Sequence, residues 1–428
     1  MRTALVSCTA LIVVCAAAFT QENPAQFLFN RLREKVRGNL AKVPRYTCVQ
    51  TITRAQYMPQ YGRRPESCAG MIAAREANPA RGLVTWHDRL RLDVAVGADS
   101  EIFSWAGARS FESGDLADLA VSGPTGSGDF GSFLASVFGG FADSFRYLGE
   151  RDISLGHLAA FEYSVPIAKS HYTYRLRNGG KGVIGYGGTF YADPATADLK
   201  RLVVDARDFS SGEVCRVLDT MDYSQVKIGT GDYLLPDVSN MVVLYRNGEE
   251  TANQTHYSGC HEFTGESTIR FDDGEDSDTP AQATKSALKA LPPGTPIKVK
   301  IDPPINSATA AAGDAITGVV EHDVKQNGVV IVRATDLLRG RILRLEQFLA
   351  PEPYWVVAIR FDAIDRGGVE QPLKLRPTDD GDRMPSGTIS RLRRIPVPER
   401  AAGAGIFLLP GIGNIVLDEK FHSEWKTR

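Results

Sequence analysis

Apolar and polar positions alternate along most of this chain with a period of two. The clearest case runs from Arg89 to Val96, where Leu90, Leu92, Val94 and Val96 share one face and Arg89, Arg91 and Asp93 the other. Such alternation predicts a sheet with one buried and one wet face. Arg45–Arg54 is rich in β-branched and aromatic residues and reads as a strand. Further strands are expected at Glu101–Arg109, Ala160–Ile167, His171–Arg177, Gly182–Tyr191, Leu199–Ala206, Val214–Tyr223, Met241–Arg246, Asn253–Glu262 and Ser267–Phe271. Asn178-Gly179-Gly180 and Asn247-Gly248 supply the positive φ that hairpin turns require. Hairpin-linked strands predict antiparallel β rather than alternating βα units. The period changes to three and four only in two places. Pro24–Leu40 carries Phe29, Leu32, Val36 and Leu40 on one side and Arg31, Arg33, Glu34, Lys35 and Arg37 on the other, an amphipathic helix that Pro44 ends. A short helix is expected at Phe130–Phe138.

The pattern lapses at Asp272-Asp273-Gly274-Glu275-Asp276-Ser277-Asp278, which reads with the following Ala/Lys stretch as a solvated linker. It lacks the spacing of a calcium loop. Alternation resumes at Ile297, Val299 and Ile301, and strands are expected at Ala315–Val324, Gly328–Arg333, Leu338–Leu345, Trp355–Asp362 and Gln371–Leu375. Pro377–Gly403 is polar and turn-rich, a long loop. A strand pair, Gly405–Leu409 and Asn414–Asp418, precedes Phe421 and Trp425. A chain of 428 residues exceeds what one core usually serves. The expected division is therefore a leader over 1–18, a β unit over 19–271, a linker over 272–290 and a second β unit over 291–428.

The leader reading rests on Arg2, the apolar run Ala4–Val14 and the small residues Ala16-Ala17-Ala18, the three parts of a secretory signal. The run is shorter than the ~20 residues a bilayer demands. Cys15 would suit a lipoprotein site, but Val14 is bulkier than such cleavage favours, so cleavage after Ala17 or Ala18 is expected. Export to the periplasm or the exterior follows, and cysteine usage agrees. Cys48, Cys68, Cys215 and Cys260 remain after cleavage and suggest two disulfides with three connectivities. The favoured one is Cys48–Cys68 with Cys215–Cys260, each closing a modest loop. Forty-nine Lys and Arg balance 51 Asp and Glu, so no global field draws the chain to nucleic acid or an anionic membrane. No later segment is apolar enough to form a membrane helix.

Two stretches resemble known families. Within the first unit sit GYGGTFYADPATADLKRLVVDA (Gly185–Ala206), MDYSQVKIG (Met221–Gly229) and DYLLPDVS (Asp232–Ser239). With the leading helix and consecutive hairpins, these resemble the outer-membrane lipoprotein-sorting and lipoprotein-carrier family, the LolA/LolB-like fold. The strand, Asp193-Pro194-Ala195-Thr196, strand phrase is its most distinctive piece. The resemblance implies a sheet bent into an unclosed barrel around a helix, enclosing an apolar cavity for acyl chains. Leu291–Ile342 resembles the small β-barrel domain of conjugation-type secretion channels (TrbI-like) through Leu291, Pro292, Gly294, Thr295, Gly313, Asp314, Gly318 and Gly340. Val332-Arg333-Ala334-Thr335 departs from that family's Ile-Pro-x-Gly corner, and only the small-barrel shape carries over. The expected fold is thus mainly β: an antiparallel half-barrel wrapping a helix, plus a second small β-barrel.

No constellation announces catalysis. Gly126-Ser127-Gly128-Asp129-Phe130-Gly131 has dinucleotide-loop glycine spacing but no βαβ context, and it reads as a flexible loop. Read as a P-loop, Gly123–Gly128 would place Asp129 where a lysine must stand. His256, Cys260, His261 and Glu262 have metal-ligand chemistry, yet His261 faces away from the others on a strand. His87, His157, His171, His322 and His422 are scattered, without a nucleophile elbow or H-E-x-x-H. The expectation is a non-enzymatic, cofactor-free envelope protein binding a lipid or other apolar ligand without covalent chemistry. Leu90, Leu92, Val94, Phe103, Trp105, Phe161 and Tyr163 are the expected cavity lining. The small C-terminal barrel is expected to dock an envelope partner. The alternatives are an interaction module with a filled core and Trp355 or Trp425 in an exposed patch, and a hydrolase built from scattered acids or histidines.

Overall fold

The computed structural model describes residues 23–59, 67–97, 101–108, 111, 119, 123–175, 180–210, 212–263, 291–378 and 403–428. The leader, the linker, the Ser267–Phe271 strand, most of the Asn178–Gly180 turn and most of the Pro377–Gly403 loop lie outside these residues. The protein is mainly β, and its principal sheet is antiparallel with 18 strands.

The first part holds α1 (Pro24–Lys42), β1 (Tyr46–Tyr57), α2 (Cys68–Ala77), β2 (Val84–Val96), β3 (Glu101–Trp105), α3 (Ser132–Gly139), β4 (Ser144–Ile153) and β5 (Gly156–Val165). It continues with β6 (Thr173–Arg175), β7 (Lys181–Val183), β8 (Tyr186–Ala192), β9 (Leu199–Arg207), β10 (Val214–Ile228), β11 (Gly231–Tyr245) and β12 (Glu250–Glu262). Antiparallel pairing runs β4–β5–β8–β9–β10–β11–β12–β1–β2–β3. The α1 and α3 helices pack on one face of this sheet. Leu28, Phe29, Leu32 and Val36 of α1 and Phe133, Leu134, Val137 and Phe138 of α3 share a core with β5, β8, β9, β10 and β11. Each helix therefore buries its apolar stripe against the sheet, the main source of helix stability in water.

Short polar contacts orient α1. Asn23 caps it by accepting from the Ala25 amide at 3.1 Å. Asn39 grips β11 from both sides, donating to the Leu234 carbonyl at 3.1 Å and accepting from the Leu234 amide at 2.8 Å. The Asp193-Pro194-Ala195-Thr196 turn closes on itself, with Asp193 Oδ1 accepting from the Ala195 and Thr196 amides at 2.8 and 2.9 Å. Its carbonyls then receive Lys35, which reaches Thr196 O at 2.7 Å and Asp198 at 2.8 Å. That turn is a clamp on the helix.

The second part comprises β13 (Pro296–Ile301), β14 (Ile305–Asn306), β15 (Ala315–Val320), β16 (Val324–Gln326), β17 (Val329–Val332), β18 (Leu337–Phe348) and β19 (Tyr354–Arg366). The rest are β20 (Val369–Pro372), β21 (Leu375–Pro377), β22 (Gly405–Pro410), β23 (Val416–Leu417) and β24 (His422–Thr427). Its core gathers Ile297, Val299, Ile301, Ile342, Trp355, Phe361 and Trp425. Trp355 and Trp425, expected in a surface patch in the filled-module reading, are 2% and 0% exposed.

Each part has a large core of its own, but the two share one sheet, and smaller contacts join Ala312 to the core of the first part and Trp105 to Leu343 and Ala358. β18 pairs with β2 through Glu346↔Asp88, Gln347↔His87 and Phe348↔Trp86, and Leu90 bridges Ala312 in parallel. Around this seam Arg54 and Asp88 form a fully buried bidentate ion pair, Arg54 lies over the Trp86 ring, and Trp86 Nε1 donates to Glu346 at 3.2 Å. Arg344 completes the set by donating to Glu346 at 2.7 and 3.0 Å. Gly313 sits at φ +105°, and a Cβ there would stand 2.0 Å from the Arg91 carbonyl oxygen. Only glycine permits the approach.

The expected disulfides are corrected: Cys48 joins Cys260, and Cys68 joins Cys215. Short loops suggested local closure, but β1 and β12 are sheet neighbours, which brings Cys48 beside Cys260. The α2 helix, absent from the pattern reading, carries Cys68 onto β10 beside Cys215. Other boundaries shift too. The strand beginning at Glu101 ends at Trp105, the Gly182–Tyr191 stretch divides into β7 and β8, and the helix expected from Phe130 starts at Ser132. The β4 and β24 strands had no expected counterpart. Among the described residues no helix is long and apolar enough to cross a membrane.

Candidate functional site

A cavity of about 1320 Å³ lies between α3, β8, β10 and β11. Phe133, Tyr172, Tyr186, Phe209, Val217 and Val243 give it an apolar wall. These side chains arrive by different routes. Phe133 projects from α3, a helix so apolar that it must lie inside the sheet. Val217 and Val243 are register partners on β10 and β11, so they face the cavity side by side. Tyr172 belongs to the segment between β5 and β6, held by Ser170, whose hydroxyl donates to the Ile184 carbonyl at 2.6 Å. The exposed outer residues of the lining include His171, Arg175, Lys181 and Glu213.

Further in, the chemistry changes. Asp219 follows Val217 on the same face of β10 and is 5% exposed. Its Oδ1 accepts from the Ser239 hydroxyl at 2.9 Å. Glu101, at the start of β3, also lines the cavity, and its Oε2 accepts from the Gly128 amide at 2.9 Å. Asp129 lies beside them, accepting from the Tyr257 hydroxyl on its carboxylate and from the Tyr223 hydroxyl on its carbonyl at 2.9 Å. The segment 123–128 that brings Gly128 here forms part of the wall. Gly128 adopts φ +109°, which lets its amide turn to Glu101.

Three carboxyl groups in so dry a place cannot all ionise. Burial pushes Glu101 up to about 7, against the help of the Gly128 and Phe130 amides and with added repulsion from Asp129. Asp129 and Asp219 are both raised by burial, and the charge of Asp129 raises Asp219 further. The surrounding phenols of Tyr163, Tyr172, Tyr223 and Tyr257 are raised as well, again chiefly by burial, so they remain hydrogen-bond donors. The cavity thus has an aromatic wall and one acid-rich inner end.

None of the residues expected to line a cavity lines this one. Leu90, Leu92, Val94 and Phe103 pack in a filled core with Tyr46, Phe130, Ile228 and Leu235, and half-buried Trp105 packs against its edge. Phe161 and Tyr163 belong to the core beneath the α1 and α3 helices, where Phe161 stacks on Phe190 with centroids 5.1 Å apart. Alternation identified inward faces correctly, but inward positions on this stretch of sheet are covered by other segments. The residues that do line the space were passed over because the stretch Gly126–Gly131 read as a flexible loop. An aspartate between glycines, ahead of an apolar helix, was the available signal. The metal-ligand cluster is also accounted for: Cys260 is bonded to Cys48, and His261 Nδ1 lies 2.8 Å from the Gly259 carbonyl.

No family model matches the chain, and no curated protein matches it. Three solved structures are similar in part. A LolA superfamily protein from Nitrosomonas europaea is 10% identical, with a TM-score of 0.25 over 56% of this chain and 94% of that one. A DUF1329 family protein from Desulfovibrio piger is 10% identical, with a TM-score of 0.26 over 57% and 95%. An outer-membrane lipoprotein-sorting protein domain from Vibrio parahaemolyticus is 11% identical, with a TM-score of 0.25 over 59% and 95%. No secretion-channel barrel domain is among them.

Proposed function

We propose that this chain is an exported cell-envelope protein that binds a lipid-sized amphiphile without covalent chemistry. The observation that carries the reading is the cavity of about 1320 Å³, which sets an aromatic and aliphatic wall beside polar lining from Thr125, Ser127, Ser132 and Ser136. Sites for drug-sized ligands usually span about 300–1,000 Å³, so this space suits something larger. Each methylene removed from water there contributes about 0.8 kcal/mol, from which the cost of immobilising the ligand is subtracted. A dodecyl chain can therefore bind measurably with no covalent bond. The two disulfides agree with an oxidising compartment. The LolA-like sequence phrases from Gly185 to Ser239 point to the same class of ligand.

Fluorescence of N-phenyl-1-naphthylamine, together with native mass spectrometry of protein purified from an envelope fraction, tests the proposal. Wild-type protein should take up the probe and carry a co-purifying amphiphile. Val243→Trp, which fills the space from a wall position, should weaken probe uptake at least tenfold while keeping a cooperative melt. A wild-type protein that binds no probe and carries no amphiphile would sink the reading.

A further inference from the structure

Resting on the amphiphile reading, we propose that the head group of the ligand is a protonated amine, held at the inner end of the cavity between Glu101 and Asp219. Both side chains line the cavity. The acid cluster alone would be an odd structural choice, since hydrophobic residues of similar size would pack there at less cost. Among the described residues, the buried Oε1 of Glu101 in the cavity wall has no hydrogen-bond partner, and neither does the hydroxyl of Tyr46 behind it, which is 1% exposed and feels the charge of Glu101. Buried polar atoms are rarely left unpaired in folded proteins, and an orphan beside a large cavity marks a place for a donor from outside.

The chemistry of that donor follows from the neighbours. Glu101 faces the Gly128 and Phe130 amides, the Asp129 carboxyl and the phenols of Tyr46, Tyr223 and Tyr257. Asp219 faces Ser239, the Thr220 amide, Asp129 and the phenols of Tyr163, Tyr172, Tyr223 and Tyr257. These are acids, phenols, a hydroxyl and amides. Arg175 and Lys181 belong to the exposed outer part of the lining. An anionic head would meet like charge at the inner end, and a neutral hydroxyl would leave the acids protonated and gain little. An ammonium group supplies three donors and a charge, allows a carboxyl to ionise, and meets the faces of aromatic residues on its way in.

Binding should then expel a proton from Glu101 or Asp219, and the affinity for an amine should rise with pH below the range where the amine itself titrates. The test compares dodecylamine, dodecanol and dodecanoate by displacement of N-phenyl-1-naphthylamine at about pH 6 and pH 8. Dodecylamine should bind roughly tenfold tighter than dodecanol at the higher pH, a charge-assisted against a neutral contact. Its affinity should increase severalfold from pH 6 to pH 8 while that of dodecanol stays flat. Glu101→Gln and Asp219→Asn should each lower the ratio of amine to dodecanol affinity at the higher pH severalfold. Two isosteric variants guard against loss of fold in one. Equal binding of amine and alcohol, or tighter binding of dodecanoate, would overturn the head-group proposal and leave the cavity reading standing. If no dodecyl probe and no naphthylamine binds, both fall.

Discussion

Replacing Glu101 with glutamine should make the protein more stable above neutral pH and leave it almost unchanged in mild acid. In the unfolded chain this carboxyl titrates near 4.5, but in its dry site it keeps its proton until about 7. Between those values the folded state binds more protons than the unfolded one, so stability falls as pH rises through the window. A gap of that size corresponds to about 3 kcal/mol, fully lost above the folded value. Glutamine cannot ionise, and its carbonyl can still accept from the Gly128 amide. Urea unfolding at about pH 5, 6, 7 and 8 would measure both proteins. The variant should lie within about 1 kcal/mol of the wild type at pH 5 and exceed it by up to about 3 kcal/mol at pH 8. Asp129 and Asp219 titrate in both proteins and largely drop out of the difference. A difference that stays constant with pH, or a wild type that gains on the variant as pH rises, would show that Glu101 is solvated or paired, and the physical basis of the acid-rich end would go with it.

Three further outcomes follow from the seam and the disulfides. Peptide mapping without reduction should recover Cys48 with Cys260 and Cys68 with Cys215. Replacing Cys68 and Cys215 together with serine should cost about 2–5 kcal/mol, and a peptide joining Cys48 to Cys68 would contradict the arrangement. Gly313→Ala should lower stability by about 2 kcal/mol or more, because φ +105° and the Arg91 carbonyl both oppose a Cβ. A denaturation midpoint equal to that of the wild type would show that β2 and the 313 segment do not meet as closely as described.

The sheet was legible in the sequence because one-sided burial writes itself as alternation. Leu90, Leu92 and Val94 are buried as their period required, and the α1 helix is present with Phe29, Leu32 and Val36 inward. The Asp193–Thr196 turn, picked out by resemblance, has a physical role in gripping α1. What alternation could not supply was which inward positions border empty space. Leu92 and Val217 both lie on inward faces of antiparallel strands, yet one is covered by Phe130 and its neighbours and the other lines a cavity. That distinction depends on which distant segments cover each stretch of the sheet, a property of the whole chain. The disulfides were misread for a similar reason. Sequence separation favours short loops, whereas β1 meets β12 only because the chain returns after ten intervening strands.

The second half of the chain bears on the cavity through the sheet edge. An antiparallel half-barrel that stays open leaves unpaired backbone along its outer strands, and such edges invite aggregation or collapse. Here β2 has β1 on one side, while its other side is shared. The β3 strand covers Leu92–Val96, and β18 with Ala312 covers the stretch from Trp86 to Leu90. The C-terminal part thus completes the hydrogen bonding of β2 where β3 is too short to reach. The buried Arg54–Asp88 pair and the Trp86–Glu346–Arg344 chain lie at that join, and Gly123 of the cavity wall would touch the Trp86 ring if it had a Cβ. The same tryptophan therefore contacts the seam and the glycine-rich wall.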